Sequence, residues 1–197
     1  MDDDGEFLTS RRWNHNEPSD FLNLESDVVQ MRVEAEPLSG LTIDATARYN
    51  NATEIQNYHE PRGLFDSDGD GTIDATIREF RDQMRTQETW SFGANAVWDT
   101  DISATIGNRV LFGFDHFTSD QFFQGRSLRG TTVDTPGLPN PLSLFGPQYG
   151  LADPATYNQG PFTITETDTE QTGFHLLNEL TIGRLILTGG IRGRGQG

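Results

Sequence analysis

The stretch Asp66-Ser67-Asp68-Gly69-Asp70-Gly71-Thr72-Ile73-Asp74 carries carboxylates at its first, third and fifth positions, glycine at the sixth and an apolar residue at the eighth. That is the first half of a calcium-binding loop: calcium takes several hard oxygen ligands, and the glycine lets the chain turn back around the ion. The twelfth position, where a bidentate Glu belongs, is Ile77, and Glu79 comes two residues late. Asp66, Asp68, Asp70 and Asp74 are therefore the candidate metal ligands, with Asp74 or Glu79 completing the shell; a solvated acidic loop tip explains the same residues. A second candidate set is aromatic. Phe122, Phe123, Tyr149 and Tyr157, with Phe145 and Phe162, fall in one long connection and could stack on a planar ligand, or pack that connection against itself. His15, His59, His116 and His175 show no ligand spacing, and Gly125–Gly130 lacks the strand-to-helix context of a phosphate loop. No nucleophile–base arrangement stands out, so no enzyme activity is expected.

The elements that would carry these residues are strands. Leu41, Ile43, Ala45, Ala47 and Tyr49 alternate with Thr42, Asp44, Thr46 and Arg48. Successive strand side chains point to opposite faces, so one face is apolar and the other polar. The same period marks Val29 to Ala35, Trp90 to Trp98, Ala104 to Phe114, Phe174 to Ile182 and Leu185 to Ile191. Six strands are predicted over about 27–36, 41–50, 87–98, 103–118, 171–182 and 185–192. Turn residues join them at Pro37–Gly40, Asp99–Asp101 and Gly183-Arg184, while the connections 51–86 and 119–170 are long. The second long connection holds six of the nine prolines. Such a loop is foreign to a compact soluble domain. Short turns alternating with long loops are normal in a transmembrane β-barrel, where the long ones lie outside the cell. The expected fold is an all-β, antiparallel up-and-down meander of about six long strands, an open piece of such a barrel.

Trp90 and Trp98 close the two ends of one apolar face. Eight residues at ~3.3 Å span roughly 26 Å, or about 20 Å when tilted, which fits an apolar band edged by aromatic girdles; a pair of core tryptophans in a soluble sandwich explains the same residues. Asn108 and Asn178 interrupt that face.

Composition narrows the function. A net charge of −16 argues against nucleic acid as a partner, and the absence of cysteine excludes disulfides and thiolate metal sites. Hydrophobic residues make up 34%, low for a globular domain, which fits either a partly disordered chain or a barrel whose inner face is polar. Residues 1–26 are irregular and polar, as an extracellular loop would be. They lack the basic and apolar regions of a secretory signal, and the last alternation runs directly into residues 193–197. The expectation is an internal piece of a longer protein, cut at its end.

Particular segments carry a resemblance. Gln171-Thr172-Gly173-Phe174-His175-Leu176-Leu177-Asn178-Glu179-Leu180, followed by Arg184-Leu185-Ile186-Leu187-Thr188-Gly189-Gly190-Ile191-Arg192, resembles the mid-barrel hairpin of the TonB-dependent outer-membrane receptors, in particular their siderophore-receptor branch. Arg109 to Asp115 is similar to the strand upstream, and Leu41-Thr42-Ile43 through Arg48-Tyr49 to an earlier one. The resemblance covers about residues 25–192, and it has no counterpart here of the family's plug, its TonB-contacting segment or its terminal aromatic residue. It implies a partial receptor barrel over 27–192 in the outer membrane, importing a ferric siderophore or similar chelate. Outer-membrane lipid would surround it, and a TonB-type energy coupler would act through parts outside this stretch. The alternative is a secreted or soluble calcium-stabilised β-rich binding module.

Overall fold

The computed structural model describes Thr9 and residues 12–196, except for the side chain of Gln196. Seven strands form one open antiparallel meander: β1 (Phe21–Leu38), β2 (Leu41–Phe65), β3 (Ala75–Ser103), β4 (Ile106–Arg129), β5 (Leu142–Ser143), β6 (Thr163–Ile182) and β7 (Leu185–Gln196). The order across the sheet is β1-β2-β3-β4-β6-β7, and the short β5 pairs with β3 through Ala75↔Ser143 and Thr76↔Leu142. Among the described residues no helix is long and apolar enough to cross a membrane, which leaves open crossing by strands.

Tight turns follow from glycine. Gly40 has φ +79°, a region that side chains with a Cβ resist, and an added Cβ would also collide with the Asp99 carbonyl. Gly183, at φ +58°, turns β6 into β7 as the sequence predicts, and its N–H donates to the Thr105 carbonyl at 2.9 Å. Asp99–Asp101, read from sequence as a turn, instead continues β3, and the chain reverses at Ala104-Thr105. Tertiary partners override the local turn preference there. The Asp99 N–H donates to the Gly40 carbonyl at 2.7 Å, and its carboxylate meets Arg109 at 3.2 Å.

The strands also outrun the apolar alternation that announces them. β2 and β3 take up most of 51–86 and leave only 66–74 as the connection; β4 and β6 reduce 119–170 to 130–162. β1 starts at Phe21, not at residue 27, and β7 pairs out to Gln196, so the irregular start and end are shorter than expected. The cause is that backbone pairing needs no regular apolar face, so strand continues where apolar residues such as Ala75 and Phe80 are too few and too irregular to alternate.

The chain divides into two compact units. The loop unit comprises Met1–Leu24, Thr53–Arg85 and Phe123–Thr165; the sheet unit comprises Glu25–Ala52, Thr86–Phe122 and Glu166–Gly197. The loop unit has a buried centre of Ala75, Phe80, Leu142 and Leu144 together with Glu17, His59, Thr76 and Arg78. The sheet unit instead displays its apolar side chains. Tyr49 packs on Trp90 (ring centres 4.6 Å apart), Phe92 on Phe114 (5.7 Å) and Phe114 on Phe174 (5.1 Å), a continuous aromatic run across β2, β3, β4 and β6. The β6–β7 register extends it, setting Leu176 opposite Ile191, Leu180 opposite Leu187 and Ile182 opposite Leu185. Asn108 and Asn178 resolve as partners: the Asn178 amide donates to Asn108 Oδ1 at 2.7 Å, close to the turn ends of β4 and β6.

Candidate functional site

The polar face of the sheet unit carries a constellation built on two glycines. His175 on β6 lies flat over Gly113 of β4, filling the space a Cβ would take, and Asn95 of β3 crowds the same space. Asn95 in turn donates to the Asp44 carboxylate of β2 at 3.1 Å. Two residues along β4, Asp115 lies over Gly173 of β6, its carboxylate oxygens 2.6 Å from where a Cβ would sit, and it accepts from Arg192 of β7 at 3.4 Å. Arg192 is also the strand partner of His175. Asp44, Asn95, Asp115, His175 and Arg192 thus form a band of mixed charge across five strands, lowered onto the backbone because glycine leaves room for it. Asp115 and Arg192 keep 42% and 64% of their side chains exposed, so the band remains available to a passing polar ligand. Sequence spacing gave no sign of His175 in this role; the flanking Gly113 and Gly173 are the signal, since glycine inside a strand marks close approach.

In the loop unit, residues 12–20 are threaded into the centre as a strap. The Trp13 indole donates to the Ser143 carbonyl at 3.1 Å. Glu17 and Arg78, both fully buried, pair at 2.6 Å; Arg78 also donates to the Asn140 carbonyl at 3.0 Å, and the Gly150 N–H donates to Glu17 at 2.6 Å. Asp20, His59 and Tyr157 form a second buried chain. The Asp20 carboxylate faces His59 Nδ1 at 2.8 Å, and His59 Nε2 meets the Tyr157 hydroxyl at 2.8 Å. Burial pushes the Asp20 pKa up, but hydrogen bonds from His59 and Glu17 outweigh it and hold the carboxyl below its ordinary range. Burial raises the Tyr157 phenol above its ordinary value.

The aromatic candidates are largely spent on this packing. Tyr157 belongs to the buried chain, and Tyr149 donates its hydroxyl to the Asn14 carbonyl at 2.7 Å. Phe123 lies under the Arg85 guanidinium at 5.6 Å, and Phe162 under that of Arg126 at 4.1 Å. Phe145 is exposed. Phe122, in the sheet unit, lines an open cleft of about 280 Å³ with Glu88, Asp120, Glu166 and Asp168.

At the acidic loop, Asp66, Asp68 and Asp70 bring carboxylate oxygens within 4.8 Å of one another. The Gly71 and Gly69 N–H groups donate to Asp66 and hold its pKa down. Asp74 is turned away to Ser67, accepting from its N–H at 2.7 Å and its hydroxyl at 2.6 Å. Glu79 is engaged by Arg62 at 3.0 Å and Arg81 at 3.4 Å. Three of the expected ligands therefore converge, and the two that would close the shell do not.

No protein-family model matches the chain, and no curated protein matches it. Solved structures do. The RagAB peptide transporter superposes with a TM-score of 0.53 at 15% identity, over 89% of this chain and 18% of that one. The RagAB peptide importer in its open-open state gives 0.54 at 14%, with the same coverage. The likeness is one of fold, and this chain spans less than a fifth of the length of the transporter chain.

Proposed function

We propose that this chain is a wall segment of an outer-membrane β-barrel importer. One observation carries the reading: an open antiparallel meander whose sheet unit turns a continuous aromatic and aliphatic face outward, with Trp90 and Trp98 still 53% and 56% exposed. In water such a face is a liability, and in a bilayer it is the ordinary outer surface of a barrel. The opposite band of Asp44, Asn95, Asp115, His175 and Arg192 then lines the transport path, and the connections 66–74 and 130–162 are extracellular. The unpaired edges of β1 and β7 are completed by further strands of a parent protein, since lipid tolerates no open sheet edge.

For cargo, the sequence resemblance supports a ferric siderophore or similar chelate, with a TonB-type coupler acting through other parts of the parent. The fold likeness to a peptide importer supports a peptide instead. Uptake of radio-iron as its chelate, measured against uptake of labelled peptides by cells carrying the parent, separates the two. The barrel reading itself is tested in lipid with variants of the parent protein that keep Trp13, Trp90 or Trp98 as the single tryptophan. Brominated lipid should quench Trp90 and Trp98 and leave Trp13 bright; equal quenching of all three, or none, overturns it.

The alternative, a soluble calcium-stabilised module, draws on the convergence of Asp66, Asp68 and Asp70. It requires a detergent-free monomer whose melting temperature rises with calcium in the millimolar range and no longer does so in Asp68→Ala.

A further inference from the structure

One corner of the polar band, on β6 and β7, carries more positive than negative charge. The strand register sets His175 opposite Arg192 and Gly173 opposite Arg194. Strand side chains two apart share a face, so both arginines lie on the side away from Phe174, Leu176 and Ile191. On that side of β6 and β7, within the sheet unit, the one carboxylate is Glu179, four residues from His175 and roughly 13 Å along the strand.

The charges at this corner are only partly engaged. Arg192 meets Asp115 of β4 through one nitrogen at 3.4 Å, with 64% and 42% of the two side chains exposed, and such a pair contributes little. Arg194 donates to the neutral side-chain oxygen of Gln171 and has no carboxylate partner among the described residues. His175, half-buried over Gly113, has no side-chain hydrogen-bond partner among them either. A guanidinium offers donors only, in a fixed fork, and each arginine has spent one of its donors. A cation is therefore repelled, and an apolar group would strip water from two charges without replacing it. What fits is an acceptor with negative charge, and a carboxylate meets a guanidinium fork with two parallel hydrogen bonds.

We propose that Arg192 and Arg194 bind a carboxylate of the cargo, which displaces Asp115 from Arg192 as it docks. Arg194, with no carboxylate against it, takes the group first; Arg192 then exchanges one long contact with Asp115 for contact with the cargo. The proposal rests on the importer reading and narrows its cargo to molecules bearing a carboxylate. A peptide supplies one at its C-terminus, and a chelate supplies one through an iron-binding acid.

The test measures equilibrium binding to the purified parent protein of three probes: a tripeptide with a free C-terminus, the same tripeptide as its C-terminal amide, and ferric citrate. Tripeptide acid bound about tenfold tighter than amide, the worth of one charge-assisted hydrogen bond, supports the proposal with a peptide as the source. Binding of ferric citrate and of neither peptide supports it with a chelate. In both cases Arg194→Gln should weaken the bound probe by about tenfold, and Arg184→Gln, at the β6–β7 turn, should leave it unchanged. Asp115→Asn should act in the opposite direction and tighten binding several-fold, because it removes the competing carboxylate; a merely structural Asp115 would give weaker binding. Acid and amide bound alike with ferric citrate unbound, binding unchanged in Arg194→Gln, or weaker binding in Asp115→Asn overturns the proposal. Quenching of Trp90 and Trp98 by brominated lipid is read on every variant, so that failure of the corner and failure of the barrel reading are seen separately.

Discussion

Phe80 in the loop unit is 1% exposed, whereas Trp98 in the sheet unit is 56% exposed. The contrast runs through both units. The loop unit folds around a small buried centre, and it pairs the charges it takes inside, as in Glu17–Arg78. The sheet unit places its aromatic run outside and a hydrogen-bonded polar band on the other face. Strands β2, β3, β4 and β6 each contribute residues to both units. On the proposed barrel reading, the difference lies in which solvent each stretch of the same strand meets, and not in secondary structure. Apolar alternation is a signature of the solvent; strand is the more general state.

The largest effect expected is in the loop unit. Glu17→Gln leaves Arg78 charged, buried and without its counter-ion, and breaking a buried pair in this way costs about 3–5 kcal/mol. Proteolysis within 130–162 should become fast, while quenching of Trp90 and Trp98 in lipid stays as in the parent chain. Loss of both together would show that the two units are one cooperative body and break the comparison. Acid probes the same strap through Asp20. A depressed folded-state pKa gives stability that is fully present above the ordinary value of 3.8 and is lost as pH falls below it. Loop-unit protection should therefore hold through neutral and mildly acid pH and fail only below that value, and Asp20→Asn should remove this acid limb.

Next in size is a charge on the outward face. Phe112→Arg puts a guanidinium among Phe114, Phe174 and their neighbours. On a lipid-facing surface that costs about 2–4 kcal/mol near mid-membrane. Phe145→Arg in the loop unit, where Phe145 is 63% exposed against 48% for Phe112, should cost close to nothing. Folding yield of the parent protein into vesicles across a urea series reads both. Equal effects would mean that the two exposed phenylalanines meet the same solvent.

How far the sequence foretold the molecule follows the same division. In the sheet unit the alternation of Leu41 to Tyr49 and Trp90 to Trp98, with Gly40 and Gly183 at the turns, was enough to place strands and faces, because one face had to be apolar throughout. The extension of β2, β3 and β4 is not legible because the apolar residues of their outer stretches, such as Ala75 and Phe80, do not alternate with period two. The strap was hidden for a different reason. His59 meets residues 39 and 98 positions away, and Arg78 meets Glu17 across 61, so no local spacing announces either contact. Burial alone distinguishes His59 from the three other histidines. The acidic loop was half readable: local turn chemistry gathered Asp66, Asp68 and Asp70, while Asp74 and Glu79 answered to Ser67, Arg62 and Arg81.

The smallest effect is the most discriminating. Asn108 and Asn178 sit on the apolar face of the sheet unit and satisfy one another at 2.7 Å. In water such an exposed amide pair contributes almost nothing, because solvent replaces either partner at no net cost. In a bilayer each lone amide loses that replacement, and interactions of this kind couple by about 0.6 kcal/mol on average. A double-mutant cycle of Asn108→Leu and Asn178→Leu, measured by urea unfolding from vesicles, should return a coupling of that size. Both single variants should be destabilised, and the double variant should recover to near the parent, since two leucines suit lipid as well as a paired amide does. In micelles with a wetter surface the coupling should shrink. A coupling of zero in vesicles would put water on this face and take away the strongest local argument that the sheet unit is written for lipid.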